Sequence, residues 1–407
     1  MAMRKVPVTL IIFVIFFSQY VGAATIAVDV SHSEGTVALV SPIVDPVTGR
    51  IIAEGMIPAL SWYDWGYIGY SPELENAGVK HLGDGITYDA LEGVDILIIG
   101  QPWKRFSPDE MEAIVKWFSE GRKVLWVAGD CDRKDSAYVQ RNVNELLSAI
   151  PNTRLRIDYA TATDTFSNAG KSAYVAGFVR VDLETPDAGI LNRGYQGEVG
   201  KVLFHEPGVL AWVDENGKWH PLIAGEIPEG VYRIVTTSGN GMIEDDYAPE
   251  ARAYKAWDRG LFTLLAVEFV KLPNGAESIL IVSGESPYGS PVPIWVNRYG
   301  TYLFDGQQFV TNLLRWALLE ASKLAPPEET TTTIVTTTTT TEETTKTTHL
   351  TVSTTTTSNP VAEPTTATSE TPVTTAASSR TPVWIVGVAV VLLTGAAVLV
   401  FLLLKKP

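Results

Sequence analysis

The stretch from Val94 to Arg133 constrains the fold of this chain more than any other. Ile96 to Ile99 is an unbroken apolar run, typical of a parallel strand that is buried on both faces. Ser107 and Glu110 then have the spacing of a capping box, with a proline at the first helical position. Lys123 to Ala128 returns to a strand pattern. The stretch therefore predicts a right-handed βαβ unit.

Patterns elsewhere extend this unit into a domain. Thr25 to Val30 predicts a first strand, and apolar residues at helical spacing predict a helix from about 135 to 149. From about 154 to 250 the pattern changes to short alternating runs, with a hairpin at Asn216-Gly217. A strand from Ser278 to Ser283 and a helix from about Gly306 to Leu324 follow. We predict an α/β fold with a parallel sheet, helices on both faces and a β-rich insertion. The insertion is either a separate domain or a set of additional strands at the edge of the α/β domain.

The two ends of the chain indicate where the protein resides. Arg4-Lys5, an apolar run to Phe17 and small residues up to Ala23 are typical of a secretory signal peptide over residues 1–23. Residues 383–404 form an uncharged apolar run long enough to cross a bilayer of about 30 Å. Because two lysines follow at once, residues 405–407 are expected in the cytoplasm. Residues 24–325 are then an extracellular domain on a single-pass membrane protein.

A threonine-rich tract over residues 326–381 separates this domain from the apolar run. It has too few large apolar residues to offset the entropy of ordering, so a disordered and O-glycosylated stalk is predicted, with a bare linker as the alternative. The chain has a formal net charge of −15 and no run of Lys or Arg, which excludes nucleic acid as an expected partner. The sequence has one cysteine, so core burial must stabilise the extracellular domain without an internal disulfide.

Polar residues follow the ends of four predicted strands. Ligands gather beyond the carboxyl ends of strands in open α/β sheets, so these residues could converge on one rim. The alternative is that they only cap the helices that follow. The candidate ligand-binding residues are Ser31, His32, Ser33, Gln101, Asp130, Asp132 and Glu285. With 5 histidines and no metal-ligand spacing, no metal or cofactor is predicted, although His32, Asp130 and Asp132 have suitable side chains.

An aromatic-rich segment from Trp62 to Tyr70 adds a second candidate surface. Aromatic side chains at this density either pack into a core or form a stacking surface for a sugar or peptide. The sequence alone leaves both interpretations open.

The order of elements resembles the class I glutamine amidotransferase-like superfamily. The similarity is carried by the first strand and its polar turn, by DILIIGQP…SPDEMEAIVKWFSEGRKVLWVAGD, and by the closing strand followed by DGQQFVTNLLRWALLE. It is closest to non-catalytic extracellular members, notably archaeal surface proteins. The resemblance implies a flavodoxin-like or amidotransferase-like sheet. The β-rich insertion is not part of the similar region.

Catalytic members of that superfamily carry a nucleophilic cysteine in a Gly-x-Cys-x-Gly turn and a later His-x-Glu pair. Here Cys131 lies in Gly-Asp-Cys-Asp-Arg, which lacks the second glycine, and acids on both sides oppose its ionisation. Glu206 directly follows His205, so the two would face opposite ways in a strand. No catalytic residue is therefore predicted.

Three functions remain as hypotheses. The first is a cell-surface binding or accessory module that captures a small solute or docks to a surface partner. The second is an extracellular hydrolase of glycans or peptides, with Asp130, Asp132 and Glu285 as its carboxylates. The third is a structural protein of the cell envelope.

Overall fold

The predicted βαβ unit is present in the protein, as a computed structural model shows for residues 23–133, 137–182, 184–194, 200–289 and 292–327. Strand β6 covers Ile96–Ile99, helix α4 covers Pro108–Phe118 and strand β7 covers Val124–Ala128. The Ser107 hydroxyl accepts the backbone N–H of Glu110, and the Glu110 side chain accepts that of Ser107, which completes the capping box. Local sequence signals therefore positioned this helix.

The other elements follow in chain order. The remaining strands are β1 (Thr25–Asp29), β2 (Ile43–Val44), β3 (Ile51–Ala53), β4 (Asp64–Ile68), β5 (Lys80–Gly83), β8 (Leu155–Asp164), β9 (Tyr174–Val179), β10 (Lys201–His205), β11 (Gly208–Val213), β12 (Trp219–Pro221), β13 (Val231–Thr236), β14 (Gly241–Glu244), β15 (Arg259–Gly260), β16 (Thr263–Lys271), β17 (Glu277–Ser283), β18 (Arg298–Tyr299) and β19 (Tyr302–Leu303). The remaining helices are α1 (Val37–Val40), α2 (Met56–Ala59), α3 (Pro72–Asn76), α5 (Ala137–Ala149), α6 (Ala188–Leu191) and α7 (Gly306–Lys323), with a 3₁₀ turn at Asp89–Leu91.

Ten strands form the main sheet, in the order β10-β9-β13-β16-β17-β7-β6-β1-β4-β5. The half from β17 to β5 is parallel, as predicted. The half from β10 to β17 is antiparallel, which the α/β pattern did not predict. The physical reason is clearest for β16 and β17, because the short turn between them allows only antiparallel pairing.

The β-rich segment contributes to two sheets. Strands β9, β10 and β13 extend the main sheet, whereas β8, β11, β12 and β14 join β15 in a five-stranded sheet. The hairpin of β11 and β12 pairs antiparallel across the predicted Asn216-Gly217 turn. All described residues lie in one compact unit.

Two apolar cores cover the faces of the main sheet. In β6, Leu97 and Ile99 belong to the core that contains Ile114 of α4 and Val143 of α5, whereas Ile98 belongs to the other core. Helix α7 lies on that second face, where its apolar residues are buried. The predicted arrangement of helices on both faces is therefore present.

Several predictions fall on other parts of the chain. The signal peptide up to residue 22, the threonine-rich tract from residue 328, the apolar run at 383–404 and the tail at 405–407 lie outside the described residues. Within residues 23–327, apart from the gaps given above, no helix has both the length and the apolar character needed to span a bilayer.

Candidate functional site

Four parallel strands end at the same edge of the main sheet. Strands β1, β6, β7 and β17 are neighbours and run in the same direction, so the residues that follow them lie along one edge. We call the polar residues of this edge the rim. They are Asp29, Ser31, His32, Glu34, Gln101, Asp130 and Glu285.

The end of β1 holds a buried aspartate and histidine in direct contact. His32 Nδ1 lies 2.7 Å from Asp29 Oδ2, and Ser31 donates both its backbone N–H and its hydroxyl to Asp29 Oδ1. On its other side, His32 Nε2 lies 3.5 Å from Glu110 Oε2, and the His32 ring packs at a tilt against the Phe106 ring. Burial opposes charging of the imidazole, but hydrogen bonding and charge from Asp29, with a smaller effect of Glu110, raise the pKa of His32 above its ordinary value.

Glu34 is a rim residue that was not among the sequence candidates. Its side chain is 7% exposed, and neither carboxylate oxygen has a hydrogen-bond partner among the described residues. Gly100 at the end of β6 leaves the space that Glu34 uses, because a Cβ there would lie 3.1 Å from Glu34 Cγ. Burial, and next the charge of Asp29, raise the pKa of Glu34 well above its ordinary value.

Gln101 joins the β6, β7 and β17 ends. Its Nε2 donates to Gly129 O at 3.2 Å and to Glu285 Oε1 at 3.1 Å, and Glu285 Oε1 also accepts the Ser286 backbone N–H. Glu285 is 1% exposed, so burial raises its pKa well above the ordinary range, and the charge of Asp130 adds to that shift. Two candidates distant in sequence, Gln101 and Glu285, are thus in direct contact.

The raised pKa of Glu285 predicts a pH effect on stability. The folded chain keeps a proton on Glu285 at pH values where the unfolded chain has lost it, so the free energy of unfolding falls as pH rises above about 4.3 towards the raised value. Glu285→Gln removes this dependence and keeps the acceptor oxygen. We expect the difference in unfolding free energy between the variant and the wild type to shift in favour of the variant by more than about 1 kcal/mol from pH 4 to pH 8.

Urea unfolding at the two pH values measures this shift. Glu112→Gln is the control, because the Glu112 side chain is exposed on α4. A Glu285→Gln variant that differs from the wild type by the same amount at both pH values would contradict a protonated Glu285.

Two of the candidate ligand-binding residues predicted from the sequence, Asp132 and Ser33, are not part of the rim. Asp132 is buried, but its Oδ2 accepts the backbone N–H groups of Asp246 and Tyr247, and its own N–H donates to Thr161. Asp132 therefore holds a distant loop, a role that differs from both the rim ligand and the cap of a following helix that the sequence suggested. Ser33 is exposed and has a φ of 66°, in the left-handed region.

An ion pair joins the segment of the cysteine to the segment of the later histidine-acid pair. Cys131 is buried, and Arg133 two residues later forms an ion pair with Glu206. Glu206 lies beyond the end of β10 and has a φ of 58°, so strand alternation does not set its direction as the sequence analysis assumed. Burial, together with the charge of Arg133, lowers the pKa of His205 to about 4, and its ring stacks on Tyr174.

The aromatic segment divides between core and surface. Trp65 and Tyr67 lie in β4 and are buried, whereas Trp62 and Tyr70 are 57% and 82% exposed. The core interpretation is confirmed for Trp65 and Tyr67, whereas a stacking surface at Trp62 and Tyr70 stays a prediction.

A groove of about 690 Å³ gathers arginines that are far apart in the sequence. Arg105, Arg141, Arg156 and Arg252 line it, with Trp219 among its aromatic residues. Arg252 lies 5.2 Å from the Trp219 ring centroid, and Glu145 pairs with Arg105 at 2.7 Å. This concentration of positive charge could not be predicted from the sequence, because tertiary contacts bring the arginines together.

Two residues at or beside the rim, Glu34 and Tyr288, had no sequence signal strong enough to single them out, and for Glu110 the sequence predicted only the capping box. The Tyr288 hydroxyl donates to the backbone oxygens of Asp29 and Ile98 at 2.9 and 3.1 Å, which ties the loop after β17 to β1 and β6. For Glu34, the available signal was an acid in the polar turn directly after the first strand.

No protein-family profile matches the sequence, and no curated protein matches it. Among solved structures, the chain is similar to the N-terminal domain of mmIFT52, at 14% identity and a TM-score of 0.41, over 72% of this chain and 97% of that one. A cytoplasmic protein from Salmonella typhimurium matches at 10% identity and a TM-score of 0.32, over 72% and 98% of the two chains. A ThuA-like protein from Bacteroides uniformis matches at 11% identity and a TM-score of 0.32, over 73% and 93%.

Proposed function

We propose that this protein is a membrane-anchored binding module of the cell surface, whose rim captures a small solute. The observation that carries the proposal is the concentration of buried ionisable groups at the carboxyl edge of the parallel strands. Burying charge is expensive, and groups with strongly shifted pKa values gather at functional sites more often than elsewhere. The signal peptide, stalk and membrane anchor that the sequence predicts supply the surface location.

The finer assignment to a non-catalytic amidotransferase-like branch belongs to this proposal. Its support is the parallel half of the sheet together with the departures from the catalytic motif at Cys131 and Glu206. A binding module needs no nucleophile, so those departures are compatible with function. Docking of a surface protein through Trp62 and Tyr70 remains a second route by which the same module could act.

A thermal-shift screen of the full chain tests the proposal. The panel contains sugars, acidic oligosaccharides, amino acids and short peptides. A ligand that binds only the folded state stabilises it by about 2.7 kcal/mol at one hundred times its dissociation constant. We expect at least one panel member to raise the melting temperature of the wild type.

Gln101→Ala is the diagnostic variant for the rim, because Gln101 connects three strand ends. We expect it to abolish the shift that the ligand produces. Gln307→Ala removes another half-buried glutamine, on α7, and should leave the shift intact. Equal loss in both variants, or no shift for any panel member, would count against a solute-binding rim.

One observation favours the hydrolase as a second candidate. The charge of Asp130 acts on the protonated Glu285, and one protonated and one ionised carboxyl are what a glycoside hydrolase uses. Asp132 is the weaker choice of partner in this version, because its Oδ2 already accepts two backbone N–H groups of a distant loop. Turnover of aryl glycosides or peptides that Glu285→Gln abolishes would establish the hydrolase in place of the binding module.

A further inference from the structure

We infer that Asp29, His32 and Glu34 form a binding site for one divalent transition-metal ion of the Zn²⁺ type. This inference rests on the proposed binding function of the rim and names one ligand of that site. We call the three residues the Asp-His-Glu cluster. Asp29 is the last residue of β1, His32 and Glu34 follow within five residues of it, and each is at least nine-tenths buried.

The geometry of the cluster suits an ion. One ligand atom from each residue can be chosen so that all three lie within 4.8 Å of one another. Ligands about 2.1 Å from a tetrahedral ion lie about 3.4 Å apart. The 2.7 Å between His32 Nδ1 and Asp29 Oδ2 must therefore widen by about 0.7 Å, and Glu34 must approach them by no more than about 1.4 Å.

Glu34 supplies the independent observation. A buried carboxylate normally accepts several hydrogen bonds, and leaving it without them costs free energy. Neither oxygen of Glu34 makes a hydrogen bond of normal geometry among the described residues, although the Asp29 side chain and the backbone N–H groups of His32 and Glu34 lie near enough to influence its pKa. The Tyr288 hydroxyl, on which the charge of Glu34 acts, donates to the backbone oxygens of Asp29 and Ile98. A cation between Glu34 and Asp29 would satisfy these oxygens and compensate both charges.

The surroundings of His32 match those of a metal-binding histidine. Such residues commonly direct their second ring nitrogen at a carboxylate, which fixes the tautomer that leaves the other nitrogen free for the ion. His32 Nε2 faces Glu110 Oε2 at 3.5 Å, while Nδ1 faces the cluster. Glu110 is held in turn by the capping box of α4, where it accepts the Ser107 N–H at 2.8 Å.

The set of ligand atoms selects the class of ion. One imidazole with two carboxylates suits Zn²⁺ and its first-row neighbours, whereas Ca²⁺ and Mg²⁺ prefer sites with more oxygen ligands. Three protein ligands leave a coordination position for a solute, which connects the ion to the proposed function.

Calorimetric titration of the chelator-treated full chain with Zn²⁺, with Ca²⁺ and Mg²⁺ as comparison ions, tests the inference. We expect one Zn²⁺ per chain and a rise in melting temperature, with no comparable effect of Ca²⁺ or Mg²⁺. Glu34→Gln keeps the shape of the side chain and removes its charge, so we expect it to weaken Zn²⁺ binding at least about 100-fold. Without metal, it should melt no lower than the wild type, because it removes an unpaired carboxylate.

Two further variants sharpen the result. Glu110→Gln keeps the capping-box hydrogen bond, and we expect Zn²⁺ affinity to fall about 10-fold because only the orientation of His32 is affected. Glu320→Gln is the matched control, since Glu320 is 4% exposed but lies on α7, and it should bind Zn²⁺ as the wild type does. Asp29→Asn serves as a second cluster variant if Glu34→Gln does not fold.

The outcomes separate the ion from the broader proposal. Absence of Zn²⁺ binding, or Zn²⁺ binding that persists in both Glu34→Gln and Asp29→Asn, overturns the metal site. If solutes of the screening panel still shift the melting temperature in either case, the binding function stands without the ion. If neither Zn²⁺ nor any solute binds, both proposals fall.

Discussion

Gly284→Ala is expected to destabilise the protein by more than about 3 kcal/mol, because a methyl group at this position overlaps backbone atoms. A Cβ on Gly284 would lie 2.0 Å from the carbonyl oxygen of Gly208. The two residues also share a backbone hydrogen bond, in which Gly208 N–H donates to Gly284 O at 2.9 Å. The backbone on both sides is held in strands, so the contact cannot widen without breaking pairs of β11 or β17.

This substitution also acts on the rim. Gly284 joins the last residue of β17 to Glu285, and Gly208 approaches the loop after β7, where its own Cβ would lie 2.4 Å from Asp130 O. We therefore expect Gly284→Ala to displace Glu285 and to abolish ligand binding even where the fold survives.

Urea unfolding of Gly284→Ala beside Gly239→Ala measures the effect. A Cβ on Gly239 would meet no atom within 4 Å, and Gly239 has no positive φ, so its alanine variant should change the unfolding free energy by less than about 0.5 kcal/mol. Equal stabilities of the two variants would show that the Gly284 contact relaxes freely, contrary to our expectation.

Glu268→Ala is expected to cost about 3 kcal/mol, the lower end of the range for breaking a buried ion pair, because the Glu268 side chain is buried but that of its partner Arg154 is 34% exposed. Glu268 lies in β16 and is fully buried. Its carboxylate accepts the backbone N–H groups of Arg154 and Leu155 and the Arg154 guanidinium at 3.0 Å. These bonds attach the start of β8, in the five-stranded sheet, to the main sheet, so their loss leaves buried donors without an acceptor.

The buried Arg156 makes the loss larger. Burial lowers the pKa of Arg156 to about 10, and the charge of Glu268 opposes that change. Without Glu268, a buried guanidinium loses its compensating charge.

Glu145→Ala is the control for a pair of the same chemistry. Glu145 pairs with Arg105 at 2.7 Å, but the Arg105 side chain is 72% exposed, so removal should cost no more than about 1 kcal/mol. Urea unfolding compares the two variants. A Glu268→Ala protein that unfolds within about 1 kcal/mol of the Glu145→Ala protein would contradict the structural role of the buried pair.

The sequence by itself determined the elements whose signals are local. The capping box of Ser107 and Glu110, the apolar run of β6 and the hairpin at Asn216-Gly217 each depend on residues within a few positions of one another. It also predicted which strand ends carry polar residues, because each such end is continuous in the chain. These signals survive folding because hydrogen bonding within one helix or turn does not depend on the rest of the molecule.

Only the tertiary structure decided which of those residues meet. The Gln101–Glu285 contact joins positions 184 apart in sequence, and Asp132 bonds a loop 114 or more positions away in place of a rim partner. The antiparallel half of the main sheet and the arginine groove likewise depend on which strands pair. Strand pairing and the burial of Glu34 are set by packing between residues that are far apart in the sequence. Residue type and local spacing do not reveal which distant residues pack together.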